Sequence, residues 1–90
     1  MIDVTVTMNH QAGLHARPLA KFVKLIKQYD AEVQVWNLTR GGGPAAGNSP
    51  IKLMLLAVSQ GHEMRIEADG PQEEEVITAL VDLMKNNFGE

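Results

Sequence analysis

Apolar and polar residues alternate from Ile2 to Met8, with Ile2, Val4, Val6 and Met8 on one side and Asp3, Thr5 and Thr7 on the other. A period of two predicts a half-buried strand. After a loop of polar and small residues over 9–13, the period lengthens, and Leu19, Phe22, Val23 and Ile26 recur at helical spacing between Ala16 and Tyr29. Arg17, Lys21, Lys24 and Gln28 fall on another side of that helix. Pro18 is compatible with its first turn, where an amide has no intrahelical acceptor to lose, so His15 stands at the helix start. Alternation resumes from Glu32 to Thr39 with Val33 and Val35 together, before Trp36 and Leu38 shift the phase. Such a shift marks a bulge or a sheet edge and makes Trp36 an edge-strand packing residue.

Arg40 to Gly47 is rich in glycine, whose ordering costs the most entropy, and reads as a mobile connection containing at best a poor strand. Ser49 then offers a hydroxyl N-cap and Pro50 a first helical residue for a short helix within Ile51 to Val58, buried along one side and ended by Gly61. His62 to Asp69 alternates again, with Met64, Ile66 and Ala68 pointing one way. Pro71 to Asn87 carries Val76, Ile77, Leu80, Leu83 and Met84 at helical intervals, and Glu73, Glu74 and Glu75 sit where the helix dipole favours negative charge. The order of elements predicts an α+β fold: an antiparallel sheet of three to four strands, three helices on one face and split βαβ topology. With no repeat or linker visible, residues 1–90 read as one domain.

Composition narrows the function. The chain is 44% hydrophobic but only 4% aromatic, so aliphatic side chains must build the core. It has no cysteine, which excludes disulfides, thiolate catalysis and cysteine-held metals and suits a reducing cytoplasm. No run approaches the roughly 18 apolar residues of a membrane helix, and the start lacks the pattern of a signal peptide, so a cytoplasmic protein is expected. The net charge of −3 argues against a general nucleic-acid binder. Arg17, Lys21, Lys24 and Lys27 nevertheless gather in one helix and promise one basic face. His10 and His62 lie too far apart to suggest a metal cluster and read as surface or half-buried residues, so neither metal nor cofactor is expected. Gly41 to Gly43 runs into Pro44 without the lysine of a nucleotide-binding loop, and Glu73 to Glu75 reads as dipole compensation rather than a hydrolytic pair.

The remaining chemistry lies in Gly13-Leu14-His15-Ala16-Arg17-Pro18. An anion attached to a histidine at a helix start faces open backbone amides, here those of Ala16 and Arg17, and the positive end of the dipole. The Arg17 guanidinium adds a permanent charge able to meet phosphate oxygens through paired hydrogen bonds. Imidazoles titrate close to neutrality, so a nucleophilic free base needs no separate general base. From spacing alone, the plainer reading of His15 is a cap or a water bridge; a binding domain whose helix terminus merely holds an anion is a further alternative.

The hexapeptide resembles the active-site signature of the HPr family, the histidine phosphocarriers of the bacterial phosphoenolpyruvate-dependent phosphotransferase system. The likeness continues through Phe22-Val23, Tyr29-Asp30-Ala31-Glu32-Val33, the serine-led helix at Ser49, Gly61 before a strand and the acidic start of the last helix. It implies the family's open-faced β-sandwich and a monomeric carrier that is itself phosphorylated and is not an enzyme. By that resemblance, His15 accepts a phosphoryl group on Nδ1 from Enzyme I and passes it to IIA components of sugar transporters, with Arg17 stabilising it. A regulatory or nitrogen-branch module with the same chemistry is the alternative. Pro50, Ile51 and Met54, rimmed by Arg17, Lys21, Lys24 and Lys27, would dock an acidic partner, unless Ile51 and Met54 are ordinary core and the lysines a solvated face. Ser49 falls where the family's regulatory serine lies and would be a target of an HPr kinase/phosphorylase, or else a plain N-cap. Leu19, Ala12, Lys52 and the Gly41-Gly42-Gly43 stretch depart from the family pattern.

Overall fold

In the computed structural model, which describes residues 1–89, β1 spans Ile2–Thr7, α1 Ala16–Ile26, β2 Glu32–Asn37, β3 Gly42–Ala46, α2 Pro50–Leu55, β4 Glu63–Asp69 and α3 Glu73–Lys85, with a closing 3-10 turn at Asn87–Gly89. The strands form one open antiparallel sheet in the order β1-β4-β2-β3. Central β4 pairs Met64, Ile66 and Ala68 with Val6, Val4 and Ile2 on one flank and with Asn37, Val35 and Val33 on the other. These residues face the helices, which return Leu19, Phe22, Val23 and Ile26 from α1, Leu53 from α2 and Val76, Ile77, Leu80 and Met84 from α3. The expected α+β architecture is therefore the observed one, with four strands. Leu83 is only partly buried, because the buried stripe of α3 runs through Met84 instead. Among the described residues, no helix is long and apolar enough to cross a membrane.

Three expectations need correction. First, the glycine-rich segment, expected as a mobile connection with at best a poor strand, holds the five-residue strand β3. Its glycines serve close approach: a side chain at Gly43 would strike Trp36 Cα at 2.9 Å, and one at Gly47 would strike Ile26 Cδ1 at 2.8 Å and Val33 Cγ1 at 2.9 Å. Pro44, which has no amide to donate, suits an edge strand. Second, α2 ends at Leu55, well before Gly61, with Ala57 taking a left-handed φ of 52°. Gly61 instead turns the chain into β4.

Third, β2 is an interior strand, so Trp36 does not lie at an edge. Against β4 its alternation is unbroken through Asn37; the register shift occurs only in its pairing with β3. Trp36 lies on the open face beneath Arg65, whose guanidinium carbon is 4.5 Å from the ring centroid and which also pairs with Asp3 at 2.7 Å and Glu67 at 2.9 Å. The phase looked broken because the inward position is polar.

That inward residue, Asn37, is fully buried. Its Nδ2 donates to the Leu56 carbonyl at 3.0 Å and lies 3.2 Å from His62 Nδ1, while its Oδ1 accepts from the Arg40 amide at 3.1 Å. One side chain thus ties the end of α2 to the sheet. Asn37→Leu strands the buried Leu56 carbonyl and leaves the partly buried Arg40 amide without its acceptor, and urea denaturation is expected to register a loss of about 2 kcal/mol.

Candidate functional site

The site begins with a backbone requirement. Gly13 has φ +68°, and a Cβ built there would sit 2.3 Å from the Val58 carbonyl oxygen and 2.9 Å from Ser59 Cα. Only glycine permits both the conformation and the approach. The approach lets the Leu14 amide donate to the Val58 carbonyl at 2.9 Å, which anchors the loop before α1 to the segment after α2. Leu14 buries its side chain, and the chain emerges at His15 in an extended conformation with φ −146° and ψ 156°.

His15 is the N-cap residue of α1, yet its side chain makes no capping hydrogen bond. The imidazole is exposed and lines a shallow hollow of about 240 Å³ shared with Met54, Ala57 and Ser59. The plain-cap reading of His15 is therefore set aside. Its own amide is used by the Gly13 carbonyl at 3.0 Å, and its carbonyl accepts from the Leu19 amide at 3.4 Å. Pro18 has no amide, so the open donors of the first turn are those of Ala16 and Arg17. Ala16 stands in the left-handed region with φ 44°, a conformation that costs a residue with a Cβ on the order of 1 kcal/mol. Arg17 is exposed, and among the described residues no ion pair or hydrogen bond engages its guanidinium. Exposed imidazole, open amides and uncommitted guanidinium thus meet at one helix start, an arrangement suited to a phosphoryl group.

Beside them lies an apolar shoulder. Ile51 is 72% exposed and Met54 49%, so neither is core, whereas Leu53 is fully buried. Pro50 is exposed as well. Leu55, 80% exposed, belongs to the same surface. Leu55 was not among the expected docking residues, although the i, i+4 spacing from Ile51 places the two together, opposite Leu53. Ser49 caps α2, its Oγ accepting from the Lys52 amide at 3.3 Å.

The basic row of α1 is less uniform than expected. Lys24 and Lys27 are exposed, but Lys21 is half-buried and donates from Nζ to the Phe88 carbonyl at 2.6 Å, which removes it from a free rim. Both remaining histidines are half-buried and locally bonded: Nδ1 of His10 accepts from the Ala12 amide at 3.0 Å, and Nδ1 of His62 from the Ser59 amide at 3.2 Å.

The family model described as "PTS HPr component phosphorylation site" matches residues 2–86. The chain is 40% identical over 89 residues to phosphocarrier protein NPr of Escherichia coli (strain K12), covering 99% of this chain and 97% of the relative. It is 36% identical over 90 residues, all of this chain, to a 24% portion of the multiphosphoryl transfer protein of Salmonella typhimurium. The crystal structure of HPr-C-His from Thermoanaerobacter tengcongensis superposes with a TM-score of 0.93 at 38% identity, covering 100% of this chain and 98% of the other. With the match running through all four strands and three helices, the chain belongs to the HPr family and is a phosphocarrier of the phosphotransferase system rather than an enzyme.

Proposed function

We propose that His15 is the residue that carries the phosphoryl group, received from phosphoenolpyruvate through an Enzyme I and delivered to a IIA component, in the cytoplasm. The supporting observation is the exposed imidazole at the amide-bearing end of α1, with Arg17 beside it. In the uptake step the Nδ1 lone pair of His15 attacks the phosphorus of the donor's phosphohistidine, the donor imidazole leaves, and charge on the transferring oxygens is met by the amides of Ala16 and Arg17 and by the Arg17 guanidinium. Among the described residues nothing covers the exposed imidazole, so the P–N bond stays open to the next acceptor.

Of the two branches, the nitrogen-branch reading is favoured by the NPr relatives, at 40% and 41% identity over 89 residues. Delivery to sugar IIA components is the second reading. Incubation with phosphoenolpyruvate and the Enzyme I of each branch, followed by mass spectrometry and an acid-lability test, separates them. Faster labelling by the nitrogen-branch enzyme is expected, and faster labelling by the sugar-branch enzyme would reverse the assignment.

Pro50, Ile51, Met54 and Leu55 would form the apolar contact, with Arg17, Lys24 and Lys27 steering an acidic partner. Ile51→Glu is expected to raise the KM of phosphorylation by Enzyme I about 10-fold with little change in the rate at saturation, since a charge is placed in a contact that must become dry. Ser49 serves α2 as a cap; its phosphorylation would add about −1.5 to −2 charges beside this shoulder and oppose the same partner.

A further inference from the structure

The loop ahead of His15 is braced from the carboxy-terminal end of the chain. After α3, Asn87, Phe88 and Gly89 take successive positive φ values of 52°, 57° and 76°, a left-handed hook that turns Phe88 inward until it is 1% exposed. Its ring meets the His10 ring edge-on, at 5.7 Å between centroids and 82° between planes. Its carbonyl accepts from Lys21 Nζ at 2.6 Å, which fastens the hook to α1. His10 in turn holds the loop twice: Nδ1 accepts from the Ala12 amide at 3.0 Å, and the carbonyl accepts from the Gly13 amide at 2.9 Å. Gly13 is the residue whose close approach to Val58 sets where His15 emerges.

We propose that His10 and Phe88 are positioning residues for phosphoryl transfer at His15. The Phe88 ring fixes the His10 imidazole, the imidazole holds the Ala12 amide, and the His10 carbonyl holds the amide of Gly13 next to it, whose placement decides where the His15 ring stands. The effect lies on chemistry rather than docking, because neither ring is part of the apolar shoulder, which is built from α2. This inference rests on His15 being the phosphoryl acceptor.

Three variants of the full chain test it: His10→Ala, His10→Asn and Phe88→Leu. His10→Ala removes the ring and its acceptor, and the rate of phosphoryl uptake from Enzyme I at saturation is expected to fall about 10-fold with KM within about two-fold, as a misplaced nucleophile requires. His10→Asn keeps an acceptor two residues before Ala12, as Asx turns do, and is expected to recover to within about three-fold of the parent. Phe88→Leu, which keeps apolar bulk but loses the ring, is expected to fall between them. Amide hydrogen exchange at Ala12, whose bond is to the side chain, supplies a readout independent of phosphorylation, expected to quicken by up to about 10-fold in His10→Ala and to be restored in His10→Asn. Unchanged exchange in His10→Ala, a rise in KM in place of a fall in rate, or failure of the Asn variant to restore exchange would overturn the brace. A parent protein that takes up no phosphoryl group would instead refute the role of His15, and the exchange comparison would then decide the brace by itself.

Discussion

His15→Ala is expected to lose the acid-labile phosphoryl adduct completely while unfolding within a few degrees of the parent. Both halves follow from the helix start. The imidazole is exposed and makes no capping hydrogen bond, so its removal empties no cavity and orphans no amide that was previously satisfied. The extended backbone at residue 15, with φ −146°, is one that alanine adopts freely. The stability change should therefore lie at or below the low end of the roughly 0.5–2 kcal/mol range for loss of an N-cap. In His10 and His62, by contrast, Nδ1 already accepts from a backbone amide. Mass spectrometry after incubation with phosphoenolpyruvate and Enzyme I, paired with thermal denaturation, checks both halves. A surviving adduct would move the chemistry to another residue, and collapse of the fold would make His15 structural.

The second large effect concerns a residue with no chemistry of its own. Gly13→Ala places a methyl group 2.3 Å from the Val58 carbonyl oxygen in a backbone with φ +68°. Left-handed strain costs about 1–3 kcal/mol and overpacking a further 1–3 kcal/mol, so a loss of about 3 kcal/mol is expected. In a domain of this size that lowers Tm by more than about 10 °C. The clash can be relieved only by separating the loop from Val58, which breaks the Leu14 amide's hydrogen bond and releases His15 from its place beside α2. Phosphorylation at a temperature where the variant remains folded should consequently fall as well. If calorimetry shows a full-strength fold and labelling proceeds at the parent rate, the close contact at Gly13 is not what positions the site.

How much of this was legible beforehand depends on where each residue's role is settled. Period-two alternation in β1 and β4 and helical spacing in α1 and α3 are local consequences of which face is buried, and both read directly from the chain. So did the His15–Arg17 start of α1, because proline, glycine and histidine each mark it by their own backbone chemistry. Strand β3 was open only as a poor strand within a connection, since glycine is the residue of loops and of close approach alike, and only the position of Trp36, Val33 and Ile26 chooses between them. Trp36 and Asn37 misled for a related reason: the inward residue is polar, and its acceptable burial depends on Leu56 at the distant end of α2 as well as on nearby Arg40.

Local patterning along the chain was enough for the order of elements, the aliphatic core and the candidate phosphoryl acceptor, because these rest on interactions within a few residues and on side-chain chemistry. Tertiary structure alone decided which apolar residues of α2 face solvent, that Lys21 is spent on Phe88, and that His10 stands between the carboxy-terminal hook and the loop bearing His15. Those outcomes depend on contacts between residues far apart in the chain, for which no local period exists.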